Sequence, residues 1–194
     1  MNKQTQDRRK SSVREAIQQA YLDSLQSPGK ITAAQLCKKA HVNRSSFYNH
    51  FADISDVRET LENELFESVA GELEKGTAFS YDFFLHMIQI IKRNQILVTA
   101  VLDNIQNSSF FRNVVSYFRH KYICSFEKDA PGLERKEAES LFTYILSRSI
   151  GIISDWIRGK EGEPEEEIAG RISRLNGAVS ASVLQSGTKN GHTL

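Results

Sequence analysis

The side chains best suited to chemistry lie in one short segment, residues 43–51, which reads Asn-Arg-Ser-Ser-Phe-Tyr-Asn-His-Phe. Phe47 and Phe51 are four residues apart, so on a helix they share one apolar face. The positions left pointing outward are Arg44, Ser45, Tyr48 and Asn49. A guanidinium, hydroxyls and an amide presented in this way can hydrogen-bond to phosphate oxygens and to base edges. This pattern is typical of a helix that enters a groove of DNA.

Two Cys–His pairs are the other candidates for chemistry. Cys37 precedes His41 by four residues, and His120 precedes Cys124 by four. Each pair would share a helix face, but two ligands do not make a zinc site, which normally needs four. We therefore predict no metal and no cofactor. Two cysteines within helical patterns indicate free thiols in a reducing compartment, and so a cytoplasmic protein.

Motifs of the common enzyme classes are missing from the chain. It contains no Gly-x-Ser-x-Gly, no phosphate-binding glycine loop, no Gly-x-Gly-x-x-Gly and no His-Glu-x-x-His. The carboxylates cluster at helix starts and on solvated faces, where capping accounts for them. We predict that the protein is not an enzyme. A purely structural or interaction protein would explain the helices, but not the outward polar residues beside a basic segment.

The elements that position residues 43–51 are two short helices and a tight turn. Thr32 is a good N-cap for the first helix, and Leu36 and Ala40 form its apolar face. His41-Val42 breaks the helix, and Asn43 caps the second one. A helix, a turn of three or four residues and a second capped helix form a helix-turn-helix pattern. An earlier helix is predicted to open at Ser12, where Ser-Val-Arg-Glu reads as a capping box, and to end at Pro28-Gly29.

Charge is distributed unevenly along the chain. Residues 1–53 hold nine Lys or Arg against four Asp or Glu, a net charge of +5, while the whole chain has a net charge of only +1. The remaining residues therefore carry a net charge of −4. A basic N-terminal module on an acidic body suits a protein that binds a polyanion at one end.

The rest of the chain shows helical periodicity throughout, and no stretch alternates like a strand. Asp53 caps a helix, residues 92–94 break the next helical stretch, and Pro164 starts the last helix. The fold class is therefore all-α, with a three-helix helix-turn-helix domain followed by a helical C-terminal domain. The predicted domains are 1–52, 53–185 and a disordered tail, 186–194. No apolar run is long enough to span a membrane, and the N-terminus does not read as a signal peptide.

Residues 42–51 match a known motif. The stretch Val-Asn-Arg-Ser-Ser-Phe-Tyr-Asn-His-Phe resembles the DNA-binding signature of the TetR/AcrR family of bacterial transcription regulators, which ends in Tyr-x-His-Phe. The family commonly has Gly in the turn, where this chain has His41, a residue that tolerates positive φ less well. More loosely, residues 144–159 and the acidic helix start that follows resemble the last two helices of a Gram-positive branch.

The resemblance implies a DNA interface on the two helices of the helix-turn-helix. We expect Arg44 and Asn49 to read bases, with Ser45 and Ser46 small enough to allow close approach. Side chains better placed for phosphates are those of Thr32, Lys38, Tyr48 and His50. The full set of predicted DNA-binding residues is Thr32, Lys38, Asn43, Arg44, Ser45, Ser46, Tyr48, Asn49 and His50.

The resemblance also implies a body that dimerises and encloses a small molecule. Two copies would pair through an apolar seam on residues 168, 172, 175, 179 and 182. The resulting homodimer would bind a near-palindromic stretch of double-stranded DNA. An apolar or aromatic effector would bind among Phe83, Met87, Phe118, Phe142 and Trp156. The predicted function is a repressor released from its operator by that effector. The alternative is a DNA-binding activator or co-regulator controlled by a protein partner.

Overall fold

The computed structural model describes residues 3–75, 80–129, 134–159 and 162–190, and for residues 3–10, 73–75, 125–129 and 183–190 it describes the backbone alone. Within these ranges the structure is helical and contains no strand. The helices are α1 (Lys3–Leu25), α2 (Ala33–Lys39), α3 (Arg44–Tyr48), α4 (Ile54–Lys75), α5 (Tyr81–Arg93), α6 (Gln95–Asp103), α7 (Ser109–Asp129), α8 (Arg135–Ile157) and α9 (Glu165–Asn190), with a 3₁₀ turn at Ile105–Asn107. The predicted all-α fold class is confirmed. Along the described part of the chain, no helix combines the length and apolarity that a membrane span needs.

The chain forms two compact units. The first comprises the residues up to Leu65 together with Ile96–Phe110, and the second comprises Phe66–Gln95 and Phe111–Leu194. α4 thus begins in the first unit and ends in the second, and α6 with the first residues of α7 belongs to the first unit. The domain boundary predicted between residues 52 and 53 stays a prediction.

The first unit is built around the helix-turn-helix. α1 packs on α2 and α3, and α2 packs on α3. Its buried apolar side chains come from α1, α2, α3, α4 and α6 and from Phe51 after α3; they include Ile17, Tyr21, Leu36, Phe47, Phe51, Val57, Leu61, Leu65, Leu97, Val98 and Val101. Two helices as short as α2 and α3 are not stable alone, so this shared core is what holds them in place.

The second unit is a helical bundle in which α9 packs against α5 and α8. Its core is aromatic and aliphatic, with Phe83, Phe84, Ile88, Phe118, Leu141, Phe142, Ile145, Trp156, Ile168 and Ile172 all buried. The predicted break after α5 is confirmed, because α5 ends at Arg93 and Asn94 is its C-cap. The predicted start of the last helix is confirmed too, since the carbonyl of Pro164 accepts the amides of Glu167 and Ile168 at 3.1 and 3.2 Å.

Three features differ from the sequence-based expectations. α1 begins at Lys3 rather than Ser12, because no proline or glycine interrupts the helix upstream, and within the helix the Ser11 hydroxyl donates to the Glu15 carboxylate at 2.6 Å. α9 runs to Asn190 and so covers the first five residues of the predicted tail, 186–194, while residues 191–194 lie outside the described residues.

The third difference concerns the predicted dimer seam on α9. Ile168 and Ile172 have no exposed surface within the single chain, whereas Leu175 is 46% exposed. The first half of that stripe therefore packs inside the protomer, and its assignment to a partner helix was wrong. A four–three spacing identifies an apolar stripe but does not distinguish an intramolecular partner from an intermolecular one.

Candidate nucleic-acid interface

A reciprocal cap starts α2. The amide of Gln35 donates to Thr32 Oγ1 at 3.3 Å, and the amide of Thr32 donates to Gln35 Oε1 at 2.9 Å. This capping box satisfies two amides that the first helical turn leaves without a partner. The predicted cap at Thr32 is confirmed. Its hydroxyl is committed to Gln35, so a contact with phosphate would have to share it.

The turn between α2 and α3 is a Schellman motif centred on His41. The amide of Val42 donates to the carbonyl of Cys37 at 2.9 Å, and the amide of His41 donates to that of Lys38 at 3.4 Å. This 6→1 and 5→2 pattern requires a residue in the left-handed region, which is usually Gly. His41 occupies it with φ of 55°. The positive φ expected at this position is therefore present.

α3 is capped and anchored by its own residues. The amide of Ser46 donates to Asn43 Oδ1 at 2.7 Å, which confirms the predicted cap. Phe47 and Phe51 are 0% and 2% exposed, as the spacing predicted, and their ring centroids lie 6.1 Å apart. Phe47 is the buried residue of α3. α3 is therefore anchored in the core by Phe47, and its other side chains are not buried.

The predicted DNA-binding residues fall into two groups by exposure. Those exposed to solvent are Lys38, Asn43, Arg44, Ser45, Tyr48 and Asn49, and those half-buried are Thr32, Ser46 and His50. Tyr48 is 58% exposed although its ring contacts the edge of Phe47 at 5.2 Å between centroids. Its ring is therefore accessible to a partner. Their role in binding DNA stays a prediction.

α4 is fastened to α1 by a polar contact that the sequence reading missed. Gln18 Nε2 donates to both carboxylate oxygens of Glu64 at 3.0 Å, and Gln18 is only 8% exposed. Arg14 reaches the same carboxylate at 3.4 Å and lies 5.5 Å over the ring of Phe51. A glutamine on the buried side of an amphipathic helix was the available signal, because a buried amide needs a hydrogen-bonding partner.

A second missed contact holds the start of α7. Glu62 on α4 is 2% exposed, and its Oε2 accepts bonds from the Ser108 hydroxyl at 2.9 Å, the Ser109 hydroxyl at 2.8 Å and the Phe110 amide at 3.0 Å. Arg58 Nε lies 3.7 Å from its other oxygen. The Glu62 carboxylate on α4 therefore caps the start of α7. The nearby Arg58 guanidinium offsets part of the negative charge of this carboxylate. Glu62 ties α4 to the 3₁₀ turn and the beginning of α7 within the first unit.

The predicted effector residues lie in the core of the second unit. Phe83, Phe118, Phe142 and Trp156 are buried and Met87 is half-buried. Phe83 and Phe118 are in contact, with ring centroids 5.6 Å apart. Trp156 Nε1 donates to the carbonyl of Glu163 at 2.9 Å. These side chains make ordinary core contacts, and their assignment to a ligand stays a prediction.

The Cys–His pairs show no metal-binding arrangement. Cys37 is buried, and Cys124 Sγ lies 3.9 Å from His120 Nε2. Among the described residues, no three His, Cys, Asp or Glu side chains gather closely enough to hold a metal ion.

A helix-turn-helix on a two-unit, all-helical scaffold defines the class of DNA-binding regulators. The family model TetR_C_8, the C-terminal region of transcriptional regulators, matches residues 80–176, half of the chain. The chain therefore belongs to the TetR family of transcriptional regulators. No curated protein matches it.

Solved structures share this fold at low sequence identity. A TetR transcriptional regulator from Streptococcus agalactiae superimposes with a TM-score of 0.66 at 20% identity, over 90% of this chain and 99% of that one. The fatty acid degradation regulator FadR from Bacillus halodurans gives 0.60 at 10% identity, over 86% and 93% of the two chains. The dihydroxyacetone kinase operon activator DhaS gives 0.57 at 16% identity, over 88% and 96%.

Proposed function

We propose that this protein is a cytoplasmic, homodimeric TetR-type repressor that binds a near-palindromic operator through α2 and α3 and is released by a small-molecule effector. One observation supports DNA binding above all others. α3 is capped by Asn43 and anchored by Phe47, and it leaves Arg44, Tyr48 and Asn49 exposed. In helix-turn-helix proteins the second helix enters the major groove and its N-terminal residues contact base edges.

The first experiment selects bound sequences from random DNA and then compares variants on the selected site and on unrelated DNA. Arg44→Ala should cost about 1–3 kcal/mol on the selected site and relax the preference at one base pair per half-site. Lys38→Ala should weaken binding to both DNAs alike, because a phosphate contact carries no sequence information. Arg93→Ala, an exposed arginine at the end of α5, is the control and should leave both affinities unchanged. If Arg44→Ala lowers the affinity for the selected site and for unrelated DNA equally, Arg44 contacts phosphate and does not read a base.

The homodimer is proposed through the outer surfaces of α8 and α9. Tyr144 on α8 and Leu175 on α9 are 53% and 46% exposed, so both large side chains are open to a partner. Small residues beside them are also exposed, namely Gly151, Gly177, Ala178 and Ala181. Such residues allow helices to approach closely, and two-fold dimers are the commonest oligomers.

Light scattering at micromolar concentration tests this proposal. The wild type should have the mass of a dimer, and Leu175→Glu should shift it toward the monomer, because a carboxylate would be buried at the interface without a partner. Ile96→Glu is a matched control, since Ile96 is an exposed apolar residue of the first unit, at 37%. A monomeric wild type, or a dimer unaffected by Leu175→Glu, would contradict the proposal.

The effector is proposed to be apolar or aromatic and to bind among Phe83, Met87, Phe118, Phe142 and Trp156. A ligand can shift the DNA-binding equilibrium only through its different affinity for the two arrangements of the protein. A coupling of about 1–3 kcal/mol would lower operator affinity roughly 5- to 150-fold. Apolar metabolites are screened for a rise in melting temperature with a matching loss of operator binding. If none couples the two and a bound protein does, the alternative of an activator or co-regulator under a protein partner is favoured.

A further inference from the structure

A cleft of about 670 Å³ lies between α7 and α8 in the second unit, outside both the helix-turn-helix and the predicted effector cluster. Residues of α7 form most of its lining, with two residues of α8 opposite: Phe111, Arg112, Val115, Ser116, Arg119, His120, Ile123 and Cys124, then Arg135 and Glu139. The α7 residues recur every three or four positions, so one face of the helix lines the cleft. Its volume lies within the range of small-molecule sites, about 300–1,000 Å³. We refer to it as the α7–α8 cleft.

The α7–α8 cleft carries excess positive charge. Arg119 Nη2 and Arg135 Nε lie 3.1 and 3.6 Å from the same oxygen of Glu139, so two guanidinium groups share one carboxylate. Arg112 forms no ion pair with any other residue that the structure describes. The lining contains three arginines and one glutamate, which gives it a formal net charge of +2 when histidine is not counted. Because a cleft concentrates the potential of its lining, this one attracts anions.

An apolar strip runs beside these charges. Phe111, Val115 and Ile123 lie on the same face of α7, and Ile123 is 5% exposed. From residue 111 to residue 123 the helix rises roughly 18 Å, at about 1.5 Å per residue. A small inorganic anion would leave this strip uncovered, whereas an amphipathic molecule would cover it and place its charge on the arginines.

We propose that the α7–α8 cleft binds an organic carboxylate that carries an apolar chain. A guanidinium group binds a carboxylate through two parallel N–H···O bonds, which is stronger than a bond to a neutral group. Arg112 is open to such a headgroup, and Arg119 is held at the cleft by Glu139 until the ligand carboxylate shares it. The hydrocarbon part lies along Phe111, Val115 and Ile123.

Occupation of the cleft would act on the helix that Glu62 caps. Phe111 follows directly the residues 108–110 that bond the Glu62 carboxylate. A ligand that draws α7 toward α8 therefore pulls on the turn that Glu62 holds in the DNA-binding unit. This regulatory consequence rests on the proposed function, whereas the binding of the carboxylate does not.

Isothermal titration of the full-length protein with decanoate tests the proposal. We expect saturable binding, at least tenfold weaker with Arg112→Gln and with Arg119→Gln, and unchanged with Arg93→Gln, which removes a positive charge outside the cleft. Decanol, which has the chain without the charge, and inorganic phosphate, which has charge without the chain, should both bind at least tenfold more weakly than decanoate. Melting curves of each variant confirm that it is folded.

Two results overturn the proposal: no saturable binding of decanoate, or the same affinity in all variants. A parallel titration of operator DNA separates the two ideas. If decanoate binds through Arg112 and Arg119 without changing DNA affinity, the site stands and its regulatory role fails. If decanoate does not bind while the protein binds its operator, this inference fails and the proposed function stands.

Discussion

Replacement of Glu62 should show that one buried carboxylate stabilises the DNA-binding unit. In Glu62→Ala, the hydroxyls of Ser108 and Ser109 and the amide of Phe110 lose their shared acceptor. A buried donor left without a partner costs about 1–3 kcal/mol. The cost should be larger at Ser108, which is 2% exposed, than at the half-buried Ser109 and Phe110, because water can reach the latter two. The loss of the Arg58 contact adds to this.

Together these terms predict that Glu62→Ala lowers the free energy of unfolding by about 3–5 kcal/mol, as expected when one partner of a buried charged network is removed. Glu62→Gln keeps an oxygen acceptor but loses the charge, and hydrogen bonds to an ionised group are roughly twice as strong as neutral ones. We therefore expect about half the loss. The conservative variant also remains measurable if the alanine variant does not fold.

Urea unfolding followed by circular dichroism measures both variants. Glu59→Ala and Glu59→Gln are matched controls, because Glu59 lies on the same helix but is exposed. Surface substitutions of this kind usually change stability by no more than about 0.5 kcal/mol. If Glu62→Ala loses no more stability than Glu59→Ala, the carboxylate does not stabilise the start of α7 and the reasoning is refuted.

Three smaller predictions concern other local features. His41→Gly should stabilise the protein by up to about 1 kcal/mol in urea unfolding, because φ of 55° is strained for a side chain with a Cβ and free for glycine; an unchanged midpoint would argue against strain. Asn43→Ala should cost about 1 kcal/mol through loss of the Ser46 cap, whereas Asn43→Asp, which keeps an acceptor, should not. Burial raises the pKa of the Tyr122 hydroxyl to about 12, although the neighbouring Ser180 side chain lowers it in part. The folded protein then retains this proton from pH 10 to about 12 while the unfolded chain releases it, so stability falls over that window. In Tyr122→Phe, melting temperatures measured from pH 9 to 12 should fall less steeply, and parallel curves would contradict the assignment.

Features that depend on neighbours in the chain could be predicted from the sequence. The caps at Thr32 and Asn43, the positive φ of His41 and the break at Asn94 all involve partners within five residues. The burial of Phe47 and Phe51 was predicted from their four-residue spacing, although Phe51 follows the end of α3 at Tyr48. The predicted start of α1 at the Ser12 capping box was wrong, because no proline or glycine upstream interrupts the helix, which begins at Lys3.

Contacts between distant segments could not be predicted in this way. Glu62 and Glu64 are two residues apart and look alike in the sequence, but one caps α7 some 46 residues away and the other bonds Gln18 on α1. The stripe on α9 shows the same limit, since Ile172 is buried inside the protomer and Leu175 is exposed. Helical periodicity shows which residues share a face, but the neighbour of that face depends on the packing of the whole chain.

By itself, the sequence determined the helical periodicity, the caps at Thr32 and Asn43 and the exposed polar residues of α3, because hydrogen bonds within a turn and the 3.6-residue period are local properties. Tertiary structure alone decided that α6 and the start of α7 belong to the first unit, together with the helix-turn-helix, and that three arginines converge on the α7–α8 cleft. The physical reason is that burial and charge neighbourhood depend on which helices meet in space. A glutamate or an arginine acquires its role only once a partner from a remote helix lies within a few ångströms of it.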